Sequence, residues 1–235
     1  MTELAGRVAL VTGASSGIGA ALARALADAD VRLGLASRRG DDLGLPDVVA
    51  EPCDVRRLDE LERIVGATVD RFGSLDILVA NAGVGAYGAF LDLERETLDE
   101  MVDVNVRGLL YSVRAALGHL LRSDEGQLLT IASVAGQHGP EGEAVYSASK
   151  FAQVGFMRAI DHELWSEGVR CSTLCPGGVA TEFAMGRGRT RDMPDLDDMM
   201  SAEEVADVAL LMLQRPRSQR ILEATLLPMH EDSMG

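Results

Sequence analysis

The sequence is poor in cysteine, has no long hydrophobic run and carries no excess of positive charge. Its three cysteines form no paired framework, and Cys171 and Cys175 have no nearby histidine or second cysteine pair. We therefore expect reduced core thiols, a cytoplasmic location and no metal site. No segment reaches the about 18 consecutive apolar residues of a membrane-spanning helix, and the N-terminus lacks the basic start of a signal peptide. A net charge of −15 argues against nucleic acids and anionic membranes as partners.

The remaining composition is typical of one soluble α/β domain. The 235 residues suffice to bury a substantial core, and 47% hydrophobic with 25% charged residues is ordinary for a globular protein. Short apolar runs alternate with helix-compatible segments, which predicts a doubly wound parallel sheet of about seven strands with helices on both faces. The predicted strands are 7–12, 31–36, 48–53, 74–80, 127–132, 169–174 and 220–227, and the predicted helices are 20–29, 56–72, 101–121, 151–167 and 202–214.

A glycine-rich segment, Thr-Gly-Ala-Ser-Ser-Gly-Ile-Gly, connects the first predicted strand to the first predicted helix. Loops of this kind let the backbone approach a pyrophosphate, and the helix N-terminus adds N–H groups and a positive dipole end. The strand before and the helix after are the context that such a motif requires. The segment predicts a dinucleotide site with candidate contacts from Gly13, Ser15, Ser16, Gly17, Ile18 and Gly19.

A tyrosine and a lysine four residues apart are the strongest candidates for catalysis. At this spacing Tyr146 and Lys150 share one helical face, with Cβ atoms about 5–6 Å apart. An ammonium one turn away and the positive end of the helix dipole would lower the phenol pKa from its ordinary value of about 10. Ser133, behind the predicted fifth strand, could hold a carbonyl oxygen beside the tyrosine. Taken alone, the pair also fits a tyrosine that caps a core and a solvated lysine.

Several motifs follow one another in a recognisable order over essentially the whole chain: Thr12 to Gly19, Asn81-Ala82-Gly83, Asn105, Ser133, Tyr146-x-x-x-Lys150 and Pro176-Gly-x-x-x-Thr181. This arrangement resembles the short-chain dehydrogenase/reductase family, which implies a Rossmann-type fold and NAD(P)-dependent oxidoreductase activity. The resemblance implies that Tyr146 is the general acid–base and that Ser133 orients the carbonyl. It further implies that Lys150 lowers the tyrosine pKa and holds the nicotinamide ribose. Asn105 would anchor a water in a proton relay.

The end of the second predicted strand bears on the choice of dinucleotide. An acidic residue at this position favours NAD, whereas an arginine can hold the 2′-phosphate of NADP. Ser37 occupies the acidic position and Arg38 follows it. We therefore predict NADP as the preferred cofactor and NAD as a possible one, with a solvated arginine pair as the alternative interpretation. The short connection 40–47, rich in Gly, Pro and Asp, predicts a reduced crossover.

Further cofactor contacts follow from the resemblance. It implies adenine contacts from Asp54 and Val55, although Asp54 could equally cap the next helix. It implies a close backbone approach at Gly83 and a nicotinamide contact from Thr181, while Asn81 is interpreted as mainly structural because asparagine stabilises turns. The remaining candidates are Ala82, Pro176, Gly177 and Val179.

Residues 182–200 are rich in Gly, Arg, Asp and Met, and this composition predicts a mobile substrate lid. Its methionines could line an adaptable apolar pocket: Met185, Met193, Met199 and Met200. A packed or disordered surface loop is the alternative.

The predicted activity is the NADPH-dependent reduction of a small ketone or aldehyde, such as a 3-oxoacyl compound or another apolar carbonyl. NAD-dependent oxidation of a sugar, hydroxy acid or steroid alcohol is the enzymatic alternative. A non-catalytic nucleotide-binding regulator on the same fold is an alternative of another class. The resemblance implies a homotetramer or dimer that associates through the helices 101–121 and 151–167.

Overall fold

Seven parallel strands form a single sheet in the computed structural model, which describes residues 3–193, 196 and 198–232. The spatial order is β3-β2-β1-β4-β5-β6-β7, and every neighbouring pair is parallel. The predicted fold class is confirmed, and the strands end within a few residues of the predicted bounds. They are β1 (Val8–Thr12), β2 (Arg32–Ser37), β3 (Val48–Pro52), β4 (Ile77–Ala80), β5 (Gln127–Ile131), β6 (Arg170–Pro176) and β7 (Glu223–Leu226).

Helices cover both faces of the sheet, and each face has its own apolar core. On one face, α1 (Gly17–Asp28) and α6 (Ala202–Leu213) pack against each other and against the sheet. On the other face lie α2 (Leu58–Phe72), α4 (Gly108–Leu120) and α5 (Ala144–Leu164). The residues of β1, β4 and β5 are all buried, because strands covered on both faces need apolar side chains on both sides.

The predicted helix 101–121 is wrong in its bounds. The structure has α3 (Arg95–Val102), a widened π turn (Asp103–Arg107) and then α4. The residues directly before position 101 are thus helical, and Met101 is the buried residue of α3. With eight residues and a single buried one, α3 is too short for its apolar pattern to identify a helix in the sequence.

The connection from β2 to β3 is as short as predicted. All residues of 38–47 are described, and none of them is helical. Leu43 and Leu45 from this loop pack against the core that α1 and α6 form. The loop therefore covers sheet surface that a crossover helix would otherwise cover.

The starts of α6 and α2 are capped differently. Ser201 caps α6: its hydroxyl accepts from the Glu204 N–H at 3.1 Å, and the Glu204 carboxylate accepts from the Ser201 N–H at 2.7 Å. The capping role of Asp54 is wrong, because α2 begins at Leu58 with Arg57 as its N-cap residue. Asp54 instead accepts hydrogen bonds from the backbone and guanidinium of Arg56.

A pair of glycine substitutions tests the packing of α2 on the sheet. A Cβ on Gly34 in β2 would collide with the Thr68 hydroxyl of α2, whereas a Cβ on Gly66 would meet nothing within 4 Å. We expect Gly34→Ala to lower the free energy of unfolding by about 1–3 kcal/mol. The matched Gly66→Ala should raise it by about 0.5–1 kcal/mol, because alanine favours the helix. Urea denaturation measures both, and equal effects would contradict this packing.

Candidate active site

The residues predicted from the sequence surround a cavity of about 900 Å³ at the carboxyl ends of the strands. This edge is where ligands bind in open parallel sheets. Two predicted residues, Gly19 and Asn105, are buried behind the wall of the cavity. The others line it: Gly13, Ser15, Ser16, Gly17, Ile18, Ser37, Arg38, Asp54, Val55, Asn81, Ala82, Gly83, Ser133, Tyr146, Lys150, Pro176, Gly177, Val179 and Thr181.

The glycine-rich loop runs directly from β1 into α1. Gly13 and Gly17 have φ angles of +66° and +53°, which glycine adopts without strain. A Cβ on Gly19 would collide with the Gly13 carbonyl and the Asn81 amide, so this glycine lets the helix pack closely. Ser16 is the N-cap residue of α1 and makes no side-chain cap bond within the described residues. The first N–H groups of α1 are thus available to an anion.

A hydrogen-bonded clamp joins the ends of β1 and β4. The Thr12 hydroxyl accepts from the N–H groups of Asn81 at 3.1 Å and Ala82 at 3.2 Å. In return, the Asn81 amide donates to the Thr12 carbonyl at 2.9 Å and to the Gly13 carbonyl at 3.3 Å. These contacts fit the structural role expected of Asn81. The sequence reasoning missed Thr12, whose position just before the glycine motif was its only signal.

Ser133, Tyr146 and Lys150 meet at one wall of the cavity, all of them buried. The β5 strand ends next to Ser133, and Tyr146 lies in the first turn of α5. The Ser133 hydroxyl accepts from the Ala135 N–H at 3.1 Å and is close enough to Tyr146 to influence the pKa of the phenol. The Lys150 Nζ lies 5.6 Å from the centre of the Tyr146 ring. This arrangement places a phenol, a hydroxyl and an ammonium side by side.

Lys150 is the only lysine in the chain, and its ammonium is held by two acceptors. Nζ donates to the Ile131 carbonyl at 3.4 Å and to the Gln153 Oε1 at 3.0 Å. Burial disfavours the charged form and lowers the pKa of Lys150 from 10.5 to about 8. The ammonium therefore still predominates at neutral pH.

The expected lowering of the Tyr146 pKa is wrong for this structure. Burial raises the pKa of the phenol above its ordinary value, and the neighbouring Tyr87 raises it further. The Ser133 hydroxyl acts in the opposite direction without offsetting the burial. The spacing in the sequence indicates which charge lies nearby, but it does not indicate how completely the phenol is removed from water.

Asn105 lies in the π turn and holds the segment that follows β4. Its Oδ1 accepts from the Val84 N–H at 2.8 Å, and its Nδ2 donates to the Val84 carbonyl and the Ser149 hydroxyl, both at 2.9 Å. Its backbone carbonyl accepts from the Gln153 amide at 2.7 Å. Protein groups thus contact both the side chain and the backbone carbonyl of Asn105, and the water relay implied by the resemblance stays a prediction. The sequence reasoning missed Gln153, for which spacing of three residues from Lys150 was the only signal.

Two exposed arginines stand at the end of β2, where the adenosine ribose was expected. Ser37 is buried, and its hydroxyl accepts from the Gly40 N–H at 3.1 Å. Arg38 lines the cavity, and Arg39 donates to the Ser15 carbonyl of the glycine-rich loop at 2.8 Å. Arg39 was not predicted as a site residue, yet it joins the end of β2 to the loop.

The opposite end of the cavity contains aromatic and charged residues that were not predicted. Tyr87 and Phe183 flank the Tyr146 ring, with centroid distances of 5.7 Å each. Arg189 is buried and donates to the Val179 carbonyl at 3.2 Å. The Glu231 carboxylate accepts from the Gly178 N–H at 2.7 Å. These residues come from loops far apart in sequence, so no local pattern indicates that they meet.

The predicted lid contributes several residues to the cavity. Met185, Met193 and Met199 line it, whereas Met200 packs on the core and forms an isolated bridge with Val179, contrary to its predicted place. Positions 194, 195 and 197 of the predicted lid lie outside the described residues. Lid motion stays a prediction.

The described part of the chain contains no group of three or more His, Cys, Asp or Glu placed to hold a metal ion. Cys53, Cys171 and Cys175 are free and buried, and burial raises the pKa of Cys53 and of Cys171 to about 12. These values disfavour the reactive thiolate. Among the described helices, none has both the length and the apolarity to cross a membrane.

Comparison with known proteins agrees with this geometry. The family described as short chain dehydrogenase matches residues 7–192. An uncharacterized oxidoreductase of Staphylococcus haemolyticus is 34% identical over 238 residues, covering 97% of this chain and 100% of the relative. The chain therefore belongs to the short-chain dehydrogenase/reductase family, a family of oxidoreductases.

Two solved structures show the same similarity. An alcohol dehydrogenase from Thermococcus sibiricus, complexed with 5-hydroxy-NADP, superimposes with a TM-score of 0.87 at 29% identity, covering 97% of this chain and 99% of that one. A 3-ketoacyl-(acyl-carrier-protein) reductase from Brucella melitensis, complexed with NADH, has a TM-score of 0.86 at 26% identity, with coverage of 96% and 98%.

The buried ammonium of Lys150 predicts a specific pH dependence of stability. Between its folded pKa of about 8 and its unfolded pKa of 10.5, the unfolded state binds the proton that the folded state has released. Stability should therefore rise with pH in this window. Relative to Lys150→Met, wild-type protein should gain about 2 kcal/mol of unfolding free energy between pH 7 and 9.5. Urea denaturation of both proteins at both pH values measures this gain, and a constant difference would contradict it.

Proposed function

We propose that this protein reduces a ketone or aldehyde to an alcohol, with NADPH as the hydride donor. The observation that carries the proposal is the buried group of Ser133, Tyr146 and Lys150, which faces the same cavity as the glycine-rich loop. Membership of the family supports oxidoreductase chemistry. The solved relatives in complex with 5-hydroxy-NADP and with NADH support a nicotinamide cofactor.

The residues along the cavity fit a dinucleotide. Gly13 and Gly17 provide a backbone without side chains next to the start of α1. A Cβ on Gly17 would lie 3.4 Å from the Thr181 methyl group, so the loop and the segment after β6 approach each other across the cavity. A pyrophosphate at the start of α1 would meet the backbone N–H groups of its first turn. When bound, the nicotinamide would supply the hydride.

The protein's own groups would handle the oxygen of the substrate. Ser133 would donate a hydrogen bond to the carbonyl oxygen, and Tyr146 would donate the proton that converts it into a hydroxyl. Burial raises the pKa of Tyr146, so the phenol carries its proton at neutral pH, as a weaker acid than a phenol in water. Lys150 would stabilise the phenolate that forms after the proton has left.

The preference for NADPH rests on charge at the end of β2. Arg38 and Arg39 bring two guanidinium groups to the edge of the cavity, and Ser37 stands where a carboxylate would oppose a phosphate. Guanidinium groups pair well with phosphate oxygens. These guanidinium groups would therefore bind the 2′-phosphate of NADP. NAD has a ribose hydroxyl at that position and would not need them.

The substrate would be a small, largely apolar carbonyl compound, of which a 3-oxoacyl compound is one example. Tyr87, Phe183 and the lid methionines Met185 and Met193 provide apolar surface next to Tyr146. Residues 1–235 would act as one catalytic domain, with 182–200 as a lid that excludes water on closing.

Association into a dimer or tetramer is part of the proposal. Leu110 on α4 and Phe151 on α5 are exposed apolar residues on the two helices where an interface was expected. Such surface favours contact with a second copy. The protein would work in the cytoplasm on a small molecule, without a nucleic acid or a membrane as partner.

Replacing the phenol separates catalysis from cofactor binding. Tyr146→Phe should lower kcat for carbonyl reduction by about 10²–10⁴-fold, since it removes the proton donor. NADPH affinity should change little, and Tyr111→Phe on α4 serves as the control. Steady-state kinetics with a panel of carbonyl compounds measures the loss. Turnover by the variant at the wild-type rate would reject the role of Tyr146, and a wild-type protein inert towards every carbonyl would favour a nucleotide-binding regulator.

Thermal-shift titration tests the choice of cofactor. A ligand present at a hundred times its dissociation constant stabilises the native state by about 2.7 kcal/mol. NADPH should stabilise wild-type protein at lower concentration than NADH. Arg38→Ala should weaken NADPH binding by about tenfold or more without changing NADH binding, because it removes a charged hydrogen bond. Arg32→Ala, at the other end of β2, is the matched control. A preference for NADH would point to alcohol oxidation instead.

A further inference from the structure

Gln153 is hydrogen-bonded to two buried residues, Lys150 on its own helix and Asn105 in the π turn. It lies on α5, three residues after Lys150, and is only 2% exposed. Its Oε1 accepts from the Lys150 Nζ at 3.0 Å, and its Nε2 donates to the Asn105 carbonyl at 2.7 Å. One carboxamide thus connects the ammonium under the tyrosine to the π turn before α4.

The chemistry of the two partners fixes the orientation of this amide. An ammonium has only donors and a backbone carbonyl has only acceptors, so the oxygen must face Lys150 and the nitrogen must face Asn105. A flipped amide would bring two donors together at one end and two acceptors at the other. Both hydrogen-bonding ends of this buried side chain are therefore satisfied in a single arrangement.

The lysine has few other means of staying charged. Its second acceptor is the Ile131 carbonyl at the longer distance of 3.4 Å. No carboxylate within the described residues forms an ion pair with it, and the only charge that raises its pKa against the effect of burial is that of the Cys175 thiolate. Gln153 therefore provides the shorter of its two hydrogen bonds, in surroundings where an unpaired charge is costly.

We propose that Gln153 is a positioning residue that holds the Lys150 ammonium beneath Tyr146 and anchors it to the Asn105 carbonyl. This role rests on the proposed function, because it matters only if Lys150 serves the reaction. A carboxamide accepts a hydrogen bond from an ammonium without taking up its proton. The link therefore keeps the charge in place and passes no proton from Lys150 to Asn105.

The alternative is that Gln153 only fills space between α5 and the π turn. Both roles predict that a smaller or apolar side chain affects folding. They differ in whether the charge of Lys150 responds to the hydrogen-bonding character of residue 153, and this response can be measured directly.

The single lysine makes this measurement possible without turnover. Protein labelled with ¹³C at lysine Cε gives one side-chain signal, whose chemical shift follows the protonation of Lys150. Gln153→Leu should move the titration midpoint of the folded protein down by about one pH unit, since the ammonium loses an acceptor. Gln153→Glu keeps an acceptor oxygen in place, so its midpoint should lie at or above that of the wild type.

A neighbouring substitution controls for packing. Val154→Ala removes buried volume from the same helix without removing a hydrogen bond and should leave the midpoint unchanged. An unchanged midpoint in Gln153→Leu, or an equal fall in Val154→Ala, would overturn the proposal. If Gln153→Leu does not fold, a midpoint in Gln153→Glu below that of the wild type would overturn it as well.

Kinetics then separate this proposal from the proposed function. Gln153→Leu should lower kcat for carbonyl reduction by about tenfold with little change in the substrate KM, because Gln153 lies behind the cavity wall. The alkaline limb of its pH profile should shift in the same direction as the titration midpoint. Wild-type protein that reduces no carbonyl would reject the proposed function while the titration still tests Gln153. Normal reduction with an unshifted alkaline limb would reject Gln153 alone.

Discussion

The close approach of β1 and β4 at their carboxyl ends is the constraint on which both the sheet and the cavity depend. The order of strands reverses at this pair, so the connections that follow leave towards opposite faces and open a crevice between them. The Thr12 hydroxyl and the Asn81 amide hold the two ends together. The same amide leaves no room for a side chain on Gly13 or Gly19. Glycine is therefore required at positions 13 and 19 by the contact that joins the strands, as much as by any ligand that binds the loop.

The two ends of the cavity differ in charge, although the whole chain carries a net charge of −15. Arg38 and Arg39 stand at the edge where β2 ends, a favourable environment for an anionic dinucleotide. At the other end, Glu143 and Glu231 face the cavity together with the buried Arg189. Burial and the carboxylate of Glu231 raise the pKa of Glu143, which favours its neutral form more than in water. This shift agrees with the largely apolar carbonyl compound that we propose as the substrate.

Much of the fold and of the site could be predicted from the sequence, because parallel strands bring their carboxyl ends to one edge whatever the details of packing. That rule brought Ser133, Asn81 and Thr181 together from distant positions. It did not predict α3, which is short and has a single buried residue, nor the partners of Asn105, which depend on a turn of unusual width. The raised pKa of Tyr146 was also missed, since burial results from the packing of whole elements rather than from residue spacing.

The parallel topology also determines the order in which the parts of the cavity can be completed during synthesis. Strands β1 to β4, with the glycine-rich loop and the arginines after β2, belong to the first part of the chain to leave the ribosome. Strand β6 pairs with β7, and the Gly178 N–H is bonded to Glu231. The wall that faces the substrate therefore needs residues made much later. Because a domain generally folds as a unit, we expect the surface around the glycine-rich loop of a nascent chain to become ordered only once these late residues are available.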